Sequence, residues 1–160
     1  VNFQSITFAG IIPALQAGSV DAAVGAITIT PARSQVVSFS RPYFKAGLGI
    51  ATRTDTSNIN SLDDLKGKSI AVQLGTTGAQ EAQKIPNAQI RTFNAAVLAL
   101  QELSNGNVDA VVHDAPILQY ALKTGSIKNL RVSDQLLTSE YLGIPTPKNS
   151  PNLARAEYNS

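Results

Sequence analysis

Gly18-Ser19-Val20-Asp21-Ala22-Ala23-Val24-Gly25-Ala26 aligns without a gap to Gly106-Asn107-Val108-Asp109-Ala110-Val111-Val112-His113-Asp114. Each copy opens on a glycine and runs into small and β-branched apolar residues. Each is preceded by a helix-compatible stretch, holding Ala14-Leu15-Gln16 in one case and Leu100-Gln101-Glu102 in the other. A glycine at that point accepts the left-handed conformation that ends a helix, and an uninterrupted apolar run reads as a strand covered on both faces. Each copy is therefore a helix, a stop and a buried strand, and two such units imply two similar lobes. In open α/β sheets a ligand sits beyond the carboxyl ends of the strands. The repeat thus points at residues 25–30 in the first unit and at His113-Asp114 in the second.

Outward from the repeat, helical periodicity alternates with short β-branched runs, the pattern of an α/β protein. Helices are predicted over 8–17, 61–66, 76–84, 94–105 and 115–123. Strands are predicted over 22–26, 36–39, 48–52, 69–73, 89–92, 109–112 and 129–132. Gly18, Gly67, Gly106 and Gly125 serve as C-terminal stops, and Ser61 and Asn94 as N-caps. Asp21 and Asp109 read as turn or strand-start residues. Residues 54–60, rich in Asn, Ser and Thr, read as a connector between two units. The tail 145–160 has three prolines and no clear period.

Composition removes several function classes. A chain of 160 residues buries one real core or two small lobes. With 43% hydrophobic and 15% charged residues it is an ordinary folded protein. The net charge is +2 and the basic residues are scattered singly, which disfavours a nucleic-acid partner. No cysteine and a single histidine exclude a thiol nucleophile, a structural zinc site and a His-rich metal site. No stretch is apolar enough over about 20 residues to span a membrane. The chain begins at Val1, in the middle of a pattern, so an export signal is expected further upstream.

The polar groups near the strand ends suit a zwitterion. Arg33, in Thr28-Ile29-Thr30-Pro31-Ala32-Arg33, can hold a carboxylate with its guanidinium fork, with the Thr28 hydroxyl beside it. Asp114 offers the opposite charge for an ammonium group, and His113 can donate or accept a hydrogen bond to a side chain. The loop Gln73-Leu74-Gly75-Thr76-Thr77-Gly78 leads from a strand into a helix, so the amides at Thr76 and Thr77 can add to carboxylate binding. Each residue also has a structural reading: Arg33 as a solvated surface cation, Asp114 as the N-cap before Pro116, His113 as a satisfied core histidine, and Thr76 as a cap.

The ordered motifs resemble a known family. Phe8-Ala9-Gly10-Ile11-Ile12-Pro13-Ala14-Leu15-Gln16, Ala26-Ile27-Thr28-Ile29-Thr30-Pro31-Ala32-Arg33 and Phe39-Ser40-Arg41-Pro42-Tyr43-Phe44 are similar to polar amino-acid-binding receptors of ABC importers. So are Asp64-Leu65-Lys66-Gly67-Lys68, Gly75-Thr76-Thr77, Val108 through Asp114, and Tyr141-Leu142-Gly143-Ile144, which together cover nearly the whole chain.

The resemblance implies a type II periplasmic-binding-protein fold, two α/β lobes with a ligand cleft between them. Residues 1–53 would form part of lobe 1, 54–138 lobe 2, and 139–160 a return segment to lobe 1. The family's lobe 1 begins with a strand and helix that would precede Val1 and ends with further helix beyond Ser160, so lobe 1 is incomplete here. Phe8 would pack on the ligand, and Gly25 and Ala26 would present backbone groups. Thr28 and Arg33 would take the carboxylate with Thr76 and Thr77, and Asp114 the α-amino group.

The His113-Asp114 pair resembles glutamine-binding members. Gln73, which stands where a glutamine-binding relative has lysine, leaves a basic amino acid or glutamate open. The resemblance further implies closure about crossovers at 51–54 and 137–139, a membrane permease as partner, and no cofactor. Location would be periplasmic or extracytoplasmic, with any membrane anchor in sequence beyond this chain. The same domain serves as the ligand sensor of some receptor channels and histidine kinases. A dehydratase use of the fold would call on Glu81, Glu102 or Glu140 as acid and His113 as base, but no motif places a carboxylate pair.

Overall fold

The computed structural model describes residues 1–125 and 127–151. In chain order, a 3-10 turn (Phe8–Gly10) leads into α1 (Ile11–Gln16), followed by β1 (Ile27–Thr28), α2 (Pro31–Val36), β2 (Val37–Phe39), β3 (Phe44–Ala46) and β4 (Leu48–Arg53). A second 3-10 turn (Asp63–Leu65) precedes β5 (Ser69–Gln73), α3 (Thr77–Gln83), β6 (Gln89–Phe93), α4 (Ala96–Ser104), β7 (Ala110–Asp114), α5 (Ala115–Lys123) and β8 (Leu130–Val132). The chain closes with β9 (Glu140–Gly143) and β10 (Pro145–Pro147). It divides into two units: Val1–Lys45 with the return segment from Glu140, and Ala46–Ser139.

The central unit is built on a five-stranded sheet of order β6-β5-β7-β4-β8. Strands β6, β5 and β7 run parallel, whereas β4 pairs antiparallel with both β7 and β8. Because side chains alternate across a strand, the sheet feeds two cores. Leu48, Ile50, Ile70, Val72, Ala110 and Val112 join one cluster with Ala79 and Ala82 of α3. Ala51, Ala71 and Val111 join the other with Ala99, Leu100 and Leu103 of α4 and Leu118 of α5. Burial on both faces explains the uninterrupted apolar reading of β7, whose five residues are all buried.

The first unit boundary falls after Lys45 rather than at Arg53. β4, expected to belong with residues 1–53, is tied by its ladders to β7 and β8, so the proposed crossover 51–54 lies inside the central unit. The connector that follows is pinned by Arg131, which donates to the carbonyls of Thr56 and Ile59. Ser61 does not cap the second 3-10 turn. Asp64 closes it instead, accepting from the amides of Asn60 and Ser61 and from the Ser61 hydroxyl. Asn94 is displaced from the cap of α4 by Ala95.

The outer unit holds a three-stranded sheet, β1-β9-β3, and a two-stranded one, β10-β2. Both copies of the repeat end their helix identically. Gly18 donates to Leu15 O and Ser19 to Ala14 O, as Gly106 donates to Leu103 O and Asn107 to Glu102 O. Gly18 and Gly106 have φ of 69° and 80°, and Leu15 and Leu103 are both 0% exposed.

The copies then diverge. Residues 22–26, expected as a strand, form none, and regular pairing begins only at β1. Among the described residues no strand pairs with this stretch. In the central unit β7 lies between β5 and β4, whereas here Ala23 N donates to Pro145 O and Val24 is 77% exposed.

Structure also appears where the sequence suggested none. α2 begins at Pro31 with Thr30 as its cap. β10 alternates Pro145, Thr146 and Pro147, and that spacing turns both missing N–H groups away from the β2 ladder, where they cost nothing.

Candidate functional site

In the outer unit, β1 and the cap of α2 set the first group of side chains. The Thr30 hydroxyl accepts from Arg33 N at 3.2 Å, so the helix starts sharply and Arg33 lies in its first turn. The guanidinium turns back, donating from Nη1 to Thr28 O at 2.7 Å and lying 5.5 Å from the centroid of the Phe8 ring. A cation held over an aromatic face is both oriented and partly desolvated. Thr28 is buried, and its hydroxyl donates to Glu140 Oε2 at 2.9 Å. Ala26 adopts φ of 53° and, with Gly25, precedes β1 on an irregular stretch. Phe8, Thr28 and Arg33 are thus brought together.

Glu140 is the member that sequence reasoning missed as a site residue. It stands 112 positions from Thr28, and its sequence suggests only an acid for a dehydratase. The one signal was its place just before Tyr141-Leu142-Gly143-Ile144.

In the central unit, the second group gathers at the carboxyl ends of β5 and β7. Thr76 caps α3, accepting from Ala79 N at 3.1 Å and donating to Gln73 O at 2.7 Å. Thr76, Thr77, His113 and Asp114 are all buried, and Gln73 is half-buried. α3 lies so close to β7 that a Cβ on Gly78 would stand 2.7 Å from Val112 O. Asp114 occupies the N-cap position of α5, with Pro116 early in the helix and no side-chain cap bond.

The imidazole of His113 is bonded on both nitrogens. Asp114 N donates to Nδ1 at 2.8 Å, and Nε2 lies 2.7 Å from Gln73 Oε1. Since Nδ1 accepts, the proton is on Nε2, and the ring is neutral. Burial pushes its pKa down from 6.5 to about 4.

That shift makes stability pH-dependent. Between about 6.5 and about 4 the unfolded chain holds a proton on this histidine that the folded protein refuses. Stability is therefore complete above this window and falls as pH drops through it, by on the order of 3 kcal/mol. Asp109 adds a second loss at lower pH. Burial raises its carboxyl, but bonds from Ser69 N and Oγ and the nearby Lys68 and Arg53 outweigh that and hold it low. Denaturant titrations across this range should show the midpoint falling with pH, and His113→Asn should flatten the upper part of the decline.

Among the described residues, no helix is long and apolar enough to cross a membrane. Comparison with known proteins places these groups in context. Residues 1–157 match the bacterial extracellular solute-binding proteins, family 3. The chain belongs to that family. The family-3 chain is 33% identical to the glutamine-binding protein of Geobacillus stearothermophilus over its whole length, and spans 61% of that relative.

Among solved structures, an ancestral arginine-binding protein bound to arginine matches 98% of the chain with a TM-score of 0.93 and 37% identity, 71% of that protein being covered. An ancestral amino-acid-binding protein described as a precursor of cyclohexadienyl dehydratase is 41% identical, with a TM-score of 0.88 over 97% of the chain and 67% of its own. The family-3 chain thus has the type II periplasmic-binding-protein fold. Its named relatives are binding proteins rather than enzymes.

Proposed function

We propose that this protein is an extracytoplasmic receptor that captures a polar L-amino acid, glutamine foremost, for import by an ABC permease. The observation that carries the reading is Arg33, a half-buried guanidinium aimed by Thr28 O and the Phe8 ring, in a chain of a solute-binding family. Its planar fork suits the α-carboxylate that every amino acid carries.

In this reading Thr28 and Arg33 take the carboxylate together with the Thr76 and Thr77 end of α3. Asp114 takes the α-ammonium group, Phe8 packs on the ligand, Gly25 and Ala26 offer backbone groups, and Gln73 and His113 face the side chain. The chain passes twice between its units, at Lys45-Ala46 and at Ser139-Glu140. Rotation about those two connections is the closure that a permease would read. No bond is made or broken.

The names of relatives support more than one ligand, since glutamine-, arginine- and histidine-binding proteins all match. Calorimetric titration with glutamine, glutamate, arginine, lysine and histidine is the direct test. Selective micromolar or tighter binding of one of them is expected, and silence toward all would overturn the proposal.

A further inference from the structure

The parallel register that sets Ile70 beside Ala110 and Ala71 beside Val111 brings Gln73 abreast of His113 at the carboxyl ends of β5 and β7. Three hydrogen bonds then run in one direction. Asp114 N–H donates to His113 Nδ1 at 2.8 Å, His113 Nε2–H donates to Gln73 Oε1 at 2.7 Å, and Gln73 Nε2 donates to Asn94 O at 3.2 Å. A backbone amide can only donate, so the order of the relay is fixed from its first member. Turning the Gln73 amide over would set its NH2 against the imidazole N–H and its carbonyl against the carbonyl of Asn94. Both contacts would become repulsive.

We propose that His113 is a positioning residue for ligand recognition: it locks the Gln73 carboxamide so that Gln73 meets the ligand's side chain as an N–H donor. One of the two amide hydrogens of Gln73 goes to Asn94, and among the described residues the other has no partner. The side chain it fits ends in a hydrogen-bond acceptor, a carboxamide or carboxylate, and not in a guanidinium or ammonium group. His113 itself is 6% exposed, so it acts through Gln73 and not by broad contact with the ligand. This inference rests on the amino-acid-receptor reading and names the substrate class within it.

The chain has one histidine, so its imidazole nitrogens give a single set of NMR signals that need no assignment. In the ligand-free protein at neutral pH they should report a neutral ring protonated on Nε2, and Gln73→Leu should shift the Nε2 signal. A ring protonated on Nδ1, or charged, overturns the relay whatever the protein binds.

The second measurement is the ratio of glutamine to arginine affinity. It should exceed one in the wild type and fall about tenfold in His113→Leu, where one fixed hydrogen bond is released. It should also fall in Gln73→Glu, which exchanges the donor for an acceptor at nearly constant shape and so guards against a histidine variant that does not fold. Binding with an unchanged ratio in Gln73→Glu, or a wild-type preference for arginine, overturns this inference alone. Absence of binding to any amino acid overturns the receptor reading and this role with it.

Discussion

Replacing Arg33 by alanine is expected to weaken amino-acid binding about a thousandfold while leaving the fold nearly as stable as before. The loss comes from what remains behind. A carboxylate buried in a closed protein without its guanidinium is an uncompensated charge, and removing one partner of such a pair costs about 3–5 kcal/mol. The fold is spared because the cap of α2 uses the backbone N–H of Arg33, which alanine retains.

Arg33→Lys separates charge from geometry. It keeps the cation but loses the planar fork and the stacking over Phe8, and should cost roughly tenfold. Asp114→Ala should match Arg33→Ala in size, because it strands the ammonium group instead. Calorimetry paired with thermal melts checks both halves, and wild-type affinity in Arg33→Ala and Asp114→Ala would remove the site as assigned.

Gly47→Ala is the second large expectation, and its effect is on folding. The chain enters β4 through a narrow passage, where Ala115 N donates to Gly47 O at 2.9 Å and Leu48 N donates to the Thr138 hydroxyl at 3.0 Å. A Cβ on Gly47 would stand 2.2 Å from Thr138 O and 3.1 Å from Leu136 Cδ1. Leucine can turn aside, but a backbone carbonyl cannot, so residues 136–138 must move off β4 and give up the bond between Leu137 N and Leu48 O. A loss of about 4 kcal/mol or more follows. Urea unfolding would measure it, and a change below about 1 kcal/mol would mean that the passage is wider than described.

The central unit was far more legible in the sequence than the outer one, and the reason is length. β5, β6 and β7 have five residues each and α4 and α5 nine, enough for a period to show. α2 has six residues and presents Val36 to solvent, so no apolar face betrayed it, and only Thr30-Pro31 marked its start. β1, β3 and β10 have two or three residues and exist through pairing with distant segments. The same distance hid Glu140. Arg33 and Asp114 were visible because each follows a strand read from the repeat. What the sequence could not reveal is that Gln73 and His113 are hydrogen-bonded to each other, since that depends on the register of two parallel strands.

The divergence of the two repeat copies sets their local opening energies apart. In the central copy, the amides of Ala110, Val111 and Val112 sit in a strand paired on both sides and buried under helices. They can exchange with solvent deuterium only when the whole unit comes apart. In the outer copy, Val24 stands largely in water while Ala23 holds a bond to Pro145. Its neighbours should exchange through fluctuations that leave the rest of the molecule folded. Two aligned copies of one repeat would therefore sit at opposite ends of one protection profile, set apart by whether strands pair on their flanks.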